Sequence, residues 1–228
     1  MVDNLRKRHP NRHIAYGFLE LARPRLDEAV AGLYDAGWRN ILAVPVLLFA
    51  AGHIKRDLPN LLTALEQRHA GMKIHLGGPI GLTPALLESA RRLAERAASG
   101  GMPAKAADTC LLVIGRGSSD PEANAEVVRL AGMVAERLGW GGAITGYVAV
   151  ALPDMAYSIR LADRLPFRRV VVLPLVLFDG ALYREIARAL AGQHTQSYRE
   201  WRLADPFCTD DAWLATLDAH IETAFRCR

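Results

Sequence analysis

An internal duplication restricts the folds open to this chain more than any other feature. Residues 17–49 match residues 146–178 at a constant spacing of 129 positions without a gap. Gly17 falls on Gly146, Ala22 on Ala151, Pro24 on Pro153, Pro45 on Pro174, Leu48 on Leu177 and Phe49 on Phe178, while Phe18 and Leu21 meet Tyr147 and Val150. With the spacing shortened by two residues, Gly78-Pro79 meets Asp205-Pro206, and the helical patterns Pro84–Ala97 and Asp211–Phe225 correspond. A chain that repeats itself in this way builds one supersecondary arrangement twice.

The repeated unit alternates short apolar runs with longer amphipathic ones, the pattern of βαβ units around a parallel sheet. Strands are predicted at Ile14–Ala22, Ile41–Phe49 and Lys73–Gly77, then at Thr109–Ile114, Ile144–Ala151, Val170–Phe178 and Trp201–Ala204. Most of these runs are continuously apolar, as strands buried on both faces must be. The small-residue stretch Ala97–Asp108 reads as a linker, so two α/β lobes are expected, at 1–100 and 101–228. The duplication also predicts an irregularity. The counterpart of the strand Thr109–Ile114 and its turn Gly115-Arg116-Gly117-Ser118 falls before Met1, and Met1–His9 aligns with Leu130–Leu138. The expectation is a first lobe without its opening interior strand, through a late start or a real loss, which restoring that strand would stabilise.

Composition narrows the function. A chain of 228 residues at 51% hydrophobic content can bury a sizeable core. Its 28 Lys plus Arg against 24 Asp plus Glu give a charge of +4, too mild for a nucleic-acid partner but favourable to a small anionic molecule. Cys110, Cys208 and Cys227 show neither zinc-site nor disulfide spacing, which suits a reducing cytoplasm. The polar, basic start and the lack of a bilayer-length apolar run predict neither signal peptide nor membrane span. No partner chain is called for, and a monomer is the expectation.

Three places could carry chemistry. In Pro45–Pro59 an apolar strand ends in small residues and then His53, at the carboxyl end of a strand, where ligands of open α/β sheets bind. A neutral imidazole there can take a metal or a proton, although a loop histidine opening a helix explains the same spacing. The duplication favours a site, because the mate of His53 is Leu182, and a scaffold histidine would more naturally recur. Glu20 lies inside an apolar run and matches Ala149; it needs either a function or an outlet to solvent or Arg23. The turn Gly115-Arg116-Gly117-Ser118 lacks both the Walker lysine and the third glycine of a dinucleotide fingerprint, so it reads as structural, with Arg116 free to contact a carboxylate. Ser118 and Ser119 have no base beside them. His9, His13, His69, His75, His194 and His220 show no ligand spacing and are assigned to surface or packing.

Together Tyr16–Pro24, Pro45–Pro59 and Gly115–Asn124 resemble the long form of the CbiX sirohydrochlorin cobaltochelatases, over nearly the whole chain. The resemblance implies two tandem chelatase-like, flavodoxin-like lobes with parallel sheets flanked by helices. It implies insertion of Co2+ into sirohydrochlorin, a carboxylate-rich tetrapyrrole, on the route to cobalamin. No nucleotide or tightly bound cofactor would be needed, and relatives use Fe2+ or Ni2+. Carried over, His53 matches the family histidine that binds metal and accepts a pyrrole proton, and Glu20 the carboxylate on the second strand. Leu48, Phe49, Ala50, Ala51 and Gly52 would line the tetrapyrrole pocket, in a cleft between the lobes, and Lys55 and Arg56 would meet its carboxylates. The family's other histidine belongs to a Gly-His-Gly-Ser turn whose surviving copy here carries Arg116. A catalytically impaired tetrapyrrole or metal binder is the alternative from another class. A nucleotide or periplasmic-type ligand module is a third reading, weakened by the missing phosphate loop and signal peptide.

Overall fold

The computed structural model describes residues 1–19, 22–49, 52–101, 103–192 and 199–226, with the backbone alone at 52–54 and 211. The chain forms two compact units, Met1–Ile80 with Leu217–Arg228, and Gly81–Thr216. Among the described residues no helix is long and apolar enough to cross a membrane.

In the first unit α1 (Val2–Arg8) and α2 (Leu26–Asp35) precede β1 (Asn40–Ala43), α3 (Gly52–Arg68) and β2 (Lys73–Leu76). The two strands pair in parallel, from Asn40 opposite Lys73 to Ala43 opposite Leu76, and form a two-stranded sheet. Leu58, Leu62 and Leu65 recur at helical spacing on one face of α3 and join Val30 and Met72 in a small core, with Ile41, Ala43 and Ile74 packed against it. The start of the chain is tied by charge to its end: Arg8 and His9 reach Asp218 at 2.9 and 3.1 Å, and Arg12 reaches Glu222 at 2.7 Å.

The second unit holds α4 (Pro84–Ser99), β3 (Thr109–Gly115), α5 (Pro121–Leu138), β4 (Gly142–Tyr147), α6 (Met155–Arg164), β5 (Arg169–Pro174), α7 (Ala181–Ala191), β6 (Glu200–Leu203) and the beginning of α8 (Asp211–Arg226). Its four parallel strands run in the order β4-β3-β5-β6. Every residue of β3 and β5 is buried, as the apolar runs that follow Thr109 and Arg169 require, and the buried Arg169 is paired with Glu200 at 2.8 Å. Thr83 caps α4 by accepting from Leu86 N–H, and Asp120 caps α5 by accepting from Glu122 N–H, each with proline at the first helical turn.

The duplication survives in detail. The isolated bridge Phe18–Arg25 has its copy in Tyr147–Asp154, and a cis X-Pro bond stands in each half, Arg23–Pro24 and Leu152–Pro153. Gly17 and Gly146 are both sites of close approach: a Cβ would lie 2.8 Å from Leu26 Cα in the first half and 2.7 Å from Ser158 Oγ in the second. The compact units nevertheless divide the chain differently from a cut at 100/101. α4 packs on β5 and β6 through Leu86, Leu87, Ala90, Leu93 and Ala94, and so belongs with the second sheet, while residues 217–226 of α8 belong with the first unit. The linker composition marks the end of a repeat, and burial of a helix face decides which sheet that helix joins.

Four strand expectations are corrected, one of them Ile144–Ala151, whose pairing stops at Tyr147 where β4 ends. Among its described residues the run Ile14–Ala22 forms only the single bridge at Phe18, because a parallel strand exists by pairing and its partner in the other half is β3. The runs Ile41–Phe49 and Val170–Phe178 pair only as far as Ala43 and Pro174, since Pro45 and Pro174 lack the N–H that would continue the ladder.

Candidate functional site

β1 ends at Ala43, a loop follows, and α3 begins at Gly52; in the other half β5 ends at Pro174 and α7 begins at Ala181, so the two helices start in the same register of the repeat. His53 is therefore the second residue of α3, at the carboxyl end of β1. The loop is fastened to the segment after β2, since Gly77 N–H donates to the Ala43 carbonyl (2.8 Å) and Ile80 N–H to the Leu47 carbonyl (3.0 Å). Leu48 and Phe49 are half-buried on it, and Lys55 and Arg56 stand exposed on the opening turns of α3. The first turn of α3 has no acidic residue. The helix's own positive end favours negative charge at this turn. Ala50 and Ala51 lie outside the described residues, as does Glu20, and the side chains at 52–54 are not described. Arg23, named above as an outlet for Glu20, is exposed and paired with Glu28 at 2.6 Å.

The corresponding places in the second unit are structural. Leu182, the mate of His53, packs against the core formed by Cys110, Leu112, Ile114 and Ile186. Ala149, the mate of Glu20, donates its N–H to the Arg116 carbonyl at 2.9 Å. The glycine turn is rigid: Gly117 has φ +90°, and a Cβ there would meet the Ala149 carbonyl oxygen at 1.9 Å. Asn124 accepts from Ser118 N–H and donates to its carbonyl, and Ser118 Oγ accepts from Asp120 N–H. Arg116 points from this turn as an exposed side chain. The turn's hydroxyl and amide serve its own geometry, in agreement with a structural reading.

His220, assigned above to surface or packing, sits elsewhere than on the surface. It is half-buried on α8 against the backbone carbonyls of Pro45 and Gly78, beyond the ends of β1 and β2. Burial lowers its pKa below the ordinary 6.5, and the two carbonyls only partly offset this. The ring is thus held neutral, with Nε2 buried and without a hydrogen bond. Its mate in the closing helix of the other half is Leu93, so the repeat carried a signal for this residue, a polar group in a packing position.

Among the described residues the two thiols are poor ligands. Desolvation pushes Cys110 up to about 12 and Cys208 up to about 11, so both are protonated at neutral pH. Among the described residues no three His, Cys, Asp or Glu side chains converge in a way that could hold a metal ion. An open cavity of about 250 Å³ in the first unit, lined by Arg6, His13, Tyr16, Glu28 and apolar neighbours, contains none of the residues expected to bind substrate.

Comparison with known proteins fits this geometry. The chain is 31% identical over 173 residues to a sirohydrochlorin ferrochelatase of Priestia megaterium, covering 76% of this chain and 64% of the relative. It is 28% identical over 194 residues to a sirohydrochlorin cobaltochelatase of the same organism, covering 83% and 62%. The chain thus spans somewhat less than two thirds of the length of these relatives. Its fold matches a solved structure of SirB from Bacillus subtilis with Fe3+, with a TM-score of 0.79 at 21% identity, over 96% of this chain and 86% of that one. The family model CbiX matches residues 1–97 and 110–224, nearly the whole length, and the protein belongs to that family.

Proposed function

We propose that the protein inserts a divalent metal into sirohydrochlorin, with Co2+ as the metal, in cobalamin biosynthesis. The observation that carries this is the position of His53: it opens α3 at the carboxyl end of β1, where the other half of the repeat has a packing leucine. Metal insertion replaces two pyrrole N–H protons by one dication, so two protons must leave the ring as the ion sheds its waters. An imidazole that is neutral near pH 7 suits both tasks, first as a ligand that delivers the ion and then as an acceptor for a pyrrole proton. Glu20 would favour the metal and the protonated imidazole electrostatically. Lys55 and Arg56 would hold peripheral carboxylates, and Leu48 and Phe49 would supply apolar wall for the macrocycle. None of these steps needs a nucleotide.

Cobalt rests on the family resemblance alone. The matched relatives carry both names, and a His/Glu donor set accepts Co2+, Fe2+ and Ni2+ alike. The test is anaerobic metallation of sirohydrochlorin followed by its visible spectrum, with the three ions supplied separately and in competition. Cobalt is expected to be inserted fastest; faster iron or nickel insertion would reassign the metal, and no insertion of any would remove the activity. Glu20→Gln is expected to slow insertion about tenfold, the equivalent of ~1.4 kcal/mol in the barrier, with tetrapyrrole binding kept. A second reading, tetrapyrrole binding without insertion, is favoured by one observation, the two-stranded sheet beneath the site. Ring binding with no change in the metallation spectrum would select it.

A further inference from the structure

Backbone bonds join the stretch that leaves β1 to the stretch that leaves β2. Gly77 N–H donates to the Ala43 carbonyl at 2.8 Å, and Ile80 N–H donates to the Leu47 carbonyl at 3.0 Å. Pro45 and Gly78 fall between these two bonds, where the ladder cannot continue through Pro45 because proline has no N–H to give. The ring of His220 lies against the carbonyls of both residues. It stands where a further rung would be, between the stretch that leads to His53 and the stretch that anchors it.

Close packing of α8 brings the ring there. Leu217, His220 and Ala224 share one face of the helix, Leu217 and Ala224 are buried, and a Cβ on Gly77 would lie 3.1 Å from Ala224 Cβ and 3.5 Å from the Ala43 carbonyl oxygen. The second unit builds the corresponding corner without a polar group. There α4 packs on β5, β6 and Phe207–Thr209, and the mates of Leu217, His220 and Ala224 are Ala90, Leu93 and Ala97. Leu93 is buried, so packing does not call for a histidine at this place. A ring whose Nε2 is buried and unbonded costs stability that a leucine would not. The half that has a packing leucine in the place of His53 has one in the place of His220 as well.

We propose that His220 is a positioning residue for metal insertion: its ring ties Pro45 to Gly78 and so holds the loop that sets the start of α3, and with it His53, at the carboxyl end of β1. This role rests on the reading of His53 as the residue that delivers the metal and accepts the proton. A shift of ~1 Å in a reacting group can cost ~100-fold in rate, and the loss of one tie among several is expected to cost about tenfold.

The test compares the full chain with His220→Leu, His220→Asn and His220→Gln by metallation kinetics, melting temperature and amide hydrogen exchange at one neutral pH. His220→Leu reproduces the packing of Leu93 and is expected to keep the melting temperature. Its kcat is expected to fall about tenfold with KM for sirohydrochlorin within about threefold, and exchange at Gly77 and Ile80 to quicken about tenfold. His220→Asn keeps an N–H donor near the place of Nδ1, and His220→Gln near that of Nε2. One of the two is expected to restore kcat to within about threefold, and the slow exchange with it. Full kcat in His220→Leu, a loss shared equally by all three variants, or a loss that follows a lowered melting temperature would overturn the proposal. Absence of insertion by the unsubstituted chain would instead remove the function of His53, and exchange at Gly77 and Ile80 would still decide whether His220 ties the two stretches.

Discussion

β1 and β5 occupy the same place in the two halves, yet one is half-buried and the other wholly buried. Val170, Val171 and Val172 have no exposed surface, whereas their mates Ile41, Leu42 and Ala43 are all partly open. The residues are equally apolar, so the difference lies in the neighbours. Among the described residues β5 is bonded on both sides, by β3 and β6, and β1 on one, by β2. An apolar sequence therefore specifies a buried strand only where both flanking strands are present, and the same motif on an incomplete sheet forms a short, half-open ribbon.

The comparison is broken most directly by matched truncations. Val171→Ala is expected to destabilise the second unit by ~2–3 kcal/mol, about 0.8 kcal/mol for each buried carbon plus the cavity left behind. Leu42→Ala removes one carbon more but should destabilise the first unit by only ~1 kcal/mol, because the vacated space already opens to solvent. Hydrogen exchange resolved along the chain reads both units separately. An equal or larger effect at Leu42 would show that the first sheet is as tightly packed as the second.

A smaller effect is expected from His220, and it sharpens the comparison because Leu93 replaces it in the other half. Its pKa in the folded protein lies below the 6.5 of the unfolded chain, so between those values the unfolded state binds the extra proton. The contribution of His220 to stability is then fully present above about pH 6.5 and is lost as pH falls towards the lower folded value. The first unit should soften over that window while the second does not, and His220→Leu should flatten the response. Denaturation monitored between pH 7.5 and 5 checks this, and an unchanged slope in the variant would assign the pH response to other groups.

The repeat, the parallel sheets and the placement of His53 at a strand end are legible from residue pattern, because proline, glycine and apolar spacing recur at fixed distance. The fate of Ile14–Ala22 is not, since strand formation depends on a partner and the run itself is as apolar as its copy. The helix assignments are equally hidden: nothing in the composition of Pro84–Ser99 tells which sheet its leucines will cover. His220 escapes a search for ligand spacing along the sequence, because its surroundings come from loops more than a hundred residues away.

The measurement that bears most directly on the chemistry compares His53→Ala with Leu182→Ala, the same position in the two halves. Metal insertion into sirohydrochlorin is followed spectroscopically beside tetrapyrrole binding and melting temperature. His53→Ala is expected to slow insertion by ~100-fold or more, the usual contribution of a positioned proton acceptor, with ring binding and melting temperature kept. Leu182→Ala is expected to lower the melting temperature of the second unit, because the leucine packs on its core. Insertion by His53→Ala within about twofold of the unsubstituted rate, less than ~0.5 kcal/mol in the barrier, would contradict the placement of the site on α3.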